Sequence, residues 1–277
     1  MKNFSQLTFD FLENDITRTV QINQSDNFEY DDISAKDIRR AVIGWLMEQE
    51  PSGTGLMVPT RISRFRADAA AFWSKPIRKN GKNILYPVKS VIVEVRHNRE
   101  ECWPDCAKKN QMLPILKSEK KRRKDIEKNI RETEPELQLN DNLFPEFESW
   151  NYSLSSNKEY HECCNKINEL EHSLYNGSRF ERVREALLAD FLYLAVPAGA
   201  VHKHEIADGW GLLYINENLT VTIEKEADNW QCPLENKYHL VQNISKSCMK
   251  SLFFSQGINI DKKGNTRFIR PPRRRRK

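Results

Sequence analysis

The sequence predicts an α/β protein in which a mixed sheet is sandwiched between helices. Three observations predict it. Ser90–His97 is a short β-branched apolar run that admits charge only near its end, the pattern of a buried central strand. Ser34–Gln49 and Ser178–Ala189 each carry apolar residues at helical spacing. The order of elements is helix, three strands, helix, strand, which calls for helices packed on a sheet.

The first helix opens at Ser34, with Asp37 three residues on as a capping partner. Its stripe is Ile38, Ala41, Val42, Trp45 and Leu46, and Pro51, Gly53 and Gly55 end it. Leu56–Arg64 reads as a strand with Arg61, Arg64 and Arg66 at or beyond its end. Ala67–Trp73 is a second strand, apolar except for Asp68. Lys75–Pro87 contains Asn80-Gly81 and reads as a turn or hairpin link. In the strand that follows, Ile92, Glu94 and Arg96 share one face and Val91, Val93 and Val95 the other.

After His97 the pattern loosens. Asn98–Lys109 is expected to be helical after an irregular start, Glu119–Arg131 a solvated charged helix, and Glu134–Asn157 a loop. Lys158–Tyr175 is a further helix, and Ser178 with Glu181 caps the next one. The region at about 99–175 therefore reads as a helical insertion, since a structureless loop of that length is improbable. Phe191–Val196 is a buried strand ended by Pro197, and Gly211–Ile215 and Leu219–Ile223 form a closing hairpin. Cys232–Gly257 is amphipathic and helical from Leu240. The expected organisation is an N-terminal arm (1–32), a core (33–230) interrupted by the insertion, and a C-terminal helix with a basic tail (231–277).

No stretch is long and apolar enough to span a membrane, and Met1–Glu13 lacks the basic-then-apolar order of a signal peptide, so a cytoplasmic protein is expected. Six cysteines in such a chain are expected to be reduced or metal-bound rather than disulfide-bonded. The formal charge is +5, but Arg267–Lys277 holds seven basic residues and no acidic one, so the rest of the chain stands near −2. The tail, with Arg273, Arg274, Arg275 and Arg276 after Pro271-Pro272, is a cationic arm of the kind phosphate backbones attract without sequence preference.

Asp68 at the head of one strand and Glu94-x-Arg96 on the next form an Asp…Glu-x-basic constellation. Two carboxylates on adjacent strands can hold Mg²⁺ or Mn²⁺, and a cation on the same face steadies an attacking water or a phosphate. These residues resemble the PD-(D/E)XK nuclease superfamily, and most nearly its MmcB-like DNA-repair branch. Arg66-Ala67-Asp68, Ile92-Val93-Glu94-Val95-Arg96, the loosely placed Glu101, Asp105 and Lys108, Phe191–Pro197 and Gly211-Leu212 follow that pattern in order. They cover Ile33–His97 and Ser178–Ala227.

The resemblance implies a three-layer αβββαβ restriction-endonuclease-like core and a Mg²⁺-dependent deoxyribonuclease of DNA repair or of defence against mobile and viral DNA. Asp68 and Glu94 would bind the metal, Glu48 or Glu50 on the first helix would complete it, and Arg96 would contact the scissile phosphate. Arg61, Arg64 and Arg66 would hold the flanking backbone. The chain departs from the pattern where Arg96 replaces the usual Lys, because a guanidinium stays protonated and cannot act as a base. Three readings stay open: an active variant, a DNA-binding or complex-assembly module without catalysis, and a site where Arg99 supplies the missing cation.

Two weaker patterns complete the reading. Cys102, Cys106, His161, Cys163 and Cys164 form a candidate second metal site for Zn²⁺ or an iron–sulfur cluster, against the plainer reading of buried thiols. Gln6–Phe11 resembles the short peptide that bacterial proteins insert into the replication sliding clamp, a candidate protein partner beside DNA.

Overall fold

The computed structural model describes residues 33–62, 65–103, 106, 108–139, 149–175, 179–261 and 264–269. The fragment Gln6–Phe11, with Arg64, Asp105, Ser178 and Arg273–Arg276, lies outside the described residues.

Helix α1 spans Ala35–Glu48. The Ser34 hydroxyl accepts from the Asp37 amide at 3.2 Å and donates to the Asp37 carboxylate at 2.7 Å, so the cap works in both directions. Strands β1 (Gly53–Pro59), β2 (Arg66–Lys79) and β3 (Lys82–Val95) form an antiparallel meander. Strand β1 begins earlier than the sequence implies. Gly53 reads as a breaker, yet the Phe72 ring lies where a Cβ would stand, 2.6 Å from it, so only glycine lets this strand pair. Asn80 and Gly81 both take positive φ, 51° and 74°, the two-residue turn that matches strand twist.

Helices α2 (Lys109–Thr133), α3 (Lys158–Tyr175) and α4 (Arg179–Glu185) follow. The expected insertion thus holds helices of its own. Asn98–Lys109, expected to be helical, contains, among its described residues, a 3-10 turn at Glu100–Cys102 before α2 begins. The Asn98 side chain accepts from the Glu101 amide at 2.9 Å, the N-cap type of bond that starts this single turn. Strands β4 (Phe191–Pro197) and β5 (Gly211–Ile215) run parallel to β3, and β6 (Val221–Lys225) closes antiparallel on β5. The result is a six-stranded mixed sheet in the order β1-β2-β3-β4-β5-β6. Helix α5 (Leu234–Ser255) starts six residues before the expected Leu240, and a small hairpin, β7 (Ile258–Ile260) and β8 (Thr266–Phe268), follows it.

The sheet buries both faces. On one, Ile38, Val42 and Leu46 of α1 pack on Ala69, Ala71, Val91, Val93 and Tyr193. The alanines of β2 let the helix approach closely. On the other, Leu116 and Ile130 of α2, Ile167 of α3, Val183 of α4 and Ile244 of α5 pack on Ile92, Leu192 and Leu212. Among the described residues, no helix is long and apolar enough to cross a membrane.

Candidate functional site at the ends of the central strands

The β2–β3 ladder begins at Ala69↔Val93, and one step further along the same register Asp68 faces Glu94. The ladder opens at that point. The Val95 amide donates to Asp68 Oδ2 at 3.1 Å, where a carbonyl of β2 would ordinarily accept. Strand alternation breaks with it: Ala67 packs in the cluster under α2–α5, whereas Ala69 packs under α1. The Asp68 carboxylate thus reaches the end of the sheet. Both acids are enclosed, Asp68 at 3% exposure and Glu94 at 0%.

Two arginines answer these carboxylates. Arg39 of α1 donates from Nε to Asp68 Oδ1 at 3.0 Å. Arg96 places Nη1 3.8 Å from Asp68 Oδ2 and 3.8 Å from Glu94 Oε2, so one guanidinium stands between the two acids. The same Nη1 donates to the Val95 carbonyl at 2.7 Å, and the guanidinium lies 5.2 Å from the Phe180 ring centroid. Carboxylates and guanidiniums balance, so the centre is formally neutral.

Arg39 is the site residue that sequence reasoning missed. The signal is its place beside Ile38 on the edge of the α1 stripe, where the resemblance implies an acid instead. Glu48 and Glu50 are both exposed, and Glu48 is nine residues beyond Arg39, about 13 Å of helix rise away. It lines an open groove of about 450 Å³ with Arg40, Trp45 and Thr220 instead of joining Asp68. The helix supplies a cation where the resemblance implies a third acid.

The other expected cations have separate partners. Arg99 grips Glu205 with two hydrogen bonds, at 2.7 and 2.6 Å, and lies over Trp103, so it does not stand in for the missing Lys. Arg61 bonds Asn236 at the start of α5. Arg66 is exposed at the head of β2, opposite Pro59.

The second metal site is corrected. Among the described residues, no group of three His, Cys, Asp or Glu side chains is placed to hold a metal. Cys163 is buried and donates toward the Glu119 carbonyl at 3.4 Å, while Cys164 next to it points about 100° around α3. His161 Nε2 meets the Ser155 carbonyl at 2.8 Å. Burial pushes the Cys102 thiol up to about 12, the opposite of what a metal-binding thiolate needs. All six cysteines are free thiols, Cys102, Cys163 and Cys232 buried and Cys248 exposed.

The same test applies to magnesium at Asp68 and Glu94. Oxygen donors of the right kind are present, but both Asp68 oxygens already accept N–H bonds and a guanidinium fills the space between the acids. The donor set as arranged does not fit a divalent ion. Comparison with known protein families, with curated proteins and with solved structures gives no match.

Proposed function

We propose that this chain is a DNA-binding protein on a PD-(D/E)XK-like αβββαβ core, with a nuclease-like centre closed by arginine. The order α1, β1–β3 as an antiparallel meander, a helical crossover and β4 parallel to β3 supports the core assignment. One observation carries the functional reading: Arg96 Nη1 stands 3.8 Å from each of Asp68 and Glu94, where a metal would have to sit. Arginine cannot give up its proton to act as a base, whereas it suits phosphate recognition. The cationic tail adds a sequence-independent attraction for phosphate backbones.

A second reading, a Mg²⁺-dependent deoxyribonuclease, is favoured by one feature: Asp68 and Glu94 face each other across adjacent strands with a cation on the same face. Single-turnover cleavage of single- and double-stranded DNA by wild type, Arg96→Lys and Asp68→Ala, with Mg²⁺ and with Mn²⁺, separates the two. The binding reading expects tight DNA association and no cleavage by any of them. Cleavage by the wild type that Asp68→Ala abolishes would replace it with the nuclease.

A further inference from the structure

Strands β2 and β3 outrun the rest of the sheet. Strand β1 pairs with β2 only as far as Phe72, and β4 meets β3 only from Val91 onward. Beyond those limits, Ser74–Lys79 and Lys82–Pro87 pair with each other alone, from Ser74↔Pro87 to Lys79↔Lys82. This two-stranded ribbon is about 20 Å long at the usual rise per residue. Helix α5 props it from Leu85 back toward the sheet: the Tyr238 hydroxyl donates to the Leu85 carbonyl at 3.1 Å and Lys237 Nζ to the Val88 carbonyl at 3.3 Å. The distal part, from Arg78 round the Asn80-Gly81 turn to Leu85, is exposed on both strands.

The charge of the ribbon is one-sided. Lys75–Lys89 contains Lys75, Arg78, Lys79, Lys82 and Lys89 and not one acidic residue, in a chain that holds 44 basic and 39 acidic residues overall. Lys89 is spent at the base, its ammonium 4.5 Å from the Trp73 ring centroid. Lys75, Arg78, Lys79 and Lys82 are exposed, and among the described residues none of them is in an ion pair. By contrast, Arg122, Arg123 and Lys120 of the equally charge-rich α2 all pair with carboxylates.

Lysine and proline on a free strand edge guard against aggregation, and Pro76 serves that end. Edge protection does not require Lys79 directly opposite Lys82, because like charges across a ladder oppose the hairpin that carries them. A tip whose Lys79 and Lys82 repel one another across the ladder is suited to a polyanion.

We propose that the β2–β3 ribbon enters the major groove of duplex DNA, with these four cations on the flanking phosphates. The groove of B-form DNA is about 12 Å wide and admits a two-stranded ribbon, whereas the deep, narrow major groove of A-form RNA does not. The inference rests on the reading of the chain as a DNA-binding protein and names the element that meets the duplex. The ribbon tip stands eleven residues along β2 from Asp68, about 36 Å at strand rise and so about one turn of DNA from the arginine-closed centre.

The test is salt-dependent binding of a 30-bp DNA duplex, of its single strand and of the same-length RNA duplex. It compares wild type with the Lys75→Gln, Arg78→Gln, Lys79→Gln, Lys82→Gln quadruple variant. The Asn80-Gly81 turn is untouched, and circular dichroism checks the fold. On the DNA duplex, log affinity against log salt is expected to become shallower by about 3.6 units, at about 0.9 per phosphate contact. Losses on the single strand and the RNA duplex are expected to be smaller. A variant that binds the DNA duplex like the wild type overturns the ribbon assignment and leaves the DNA-binding reading standing. Equal loss on all three nucleic acids overturns groove entry. A wild type that binds none of them overturns both readings together.

Discussion

Two charge clusters in this protein each set two carboxylates against two cations, with different construction. At the ends of β2 and β3, Asp68 and Glu94 meet Arg39 and Arg96. Between α2, α3 and the loop after β4, Glu171 and Asp208 meet Lys120 and Arg123. The second cluster is stitched tight. Lys120 Nζ lies 2.6 Å from Glu171, 3.1 Å from Asp208 and 2.8 Å from the Ile206 carbonyl. The Asp208 amide donates to both Glu171 oxygens at 3.0 Å, and Arg123 reaches Asp208 at 2.5 Å. In the first cluster, Arg96 stands at 3.8 Å from both acids, beyond hydrogen-bond distance. The tight cluster clamps the insertion to the sheet. The looser one balances charge around an arginine that is itself held by the Val95 carbonyl and the Phe180 ring.

The sharpest way to break this comparison is Lys120→Ala. It removes the ammonium from two carboxylates in an enclosed site, and such half-broken pairs cost about 3–5 kcal/mol. Urea denaturation measures it. A loss below about 1 kcal/mol, the level of a surface ion pair, would show that the network does not hold the insertion.

Acid should open the same clamp. Burial pushes the Asp208 carboxyl up, but Lys120 and Arg123 outweigh it and hold the group at about 2, below its ordinary 3.8. A depressed folded value means the contribution is complete above pH 3.8 and is lost as pH falls through about 2. The side chain is 35% exposed, and solvent screening reduces the contribution to roughly 1 kcal/mol. The stability gap between wild type and Asp208→Asn should therefore shrink as pH falls over this range. A gap independent of pH would assign the effect to packing.

Glu94→Gln should have the smallest effect. It removes a fully buried charge 3.8 Å from the Arg96 guanidinium and keeps an oxygen acceptor in its place, so desolvation relief and lost attraction nearly cancel. Stability within about 1 kcal/mol of wild type is expected. A loss as large as that of Lys120→Ala would mean that the strand-end cluster is a clamp too.

The acids of the strand-end site were legible in the sequence and its cations only partly. Asp68 and Glu94 stood out as charges inside apolar strand patterns, and a charge in such a setting needs a partner wherever the chain folds. Arg96 was visible two residues from Glu94 because strand alternation is local. Arg39 was not, because its pairing joins residues 29 positions apart and depends on how α1 crosses the sheet. The cysteines misled for a related reason. Their spacing resembles a ligand set, but Cys102 and Cys163 take separate places in the core packing of the insertion.

By itself the sequence determined the alternation of helix and strand, the Asn80-Gly81 turn, the buried central strand and the Asp68–Glu94 pair. Each is encoded by periodicity or turn chemistry within a few residues. The tertiary structure decided that β2 and β3 outrun β1 and β4, which turns a hairpin link into a projecting cationic ribbon. It also decided that an arginine of α1, and no acid, reaches Asp68. Both outcomes depend on which residues of distant elements end beside one another, a property of strand register and helix placement that local pattern does not carry.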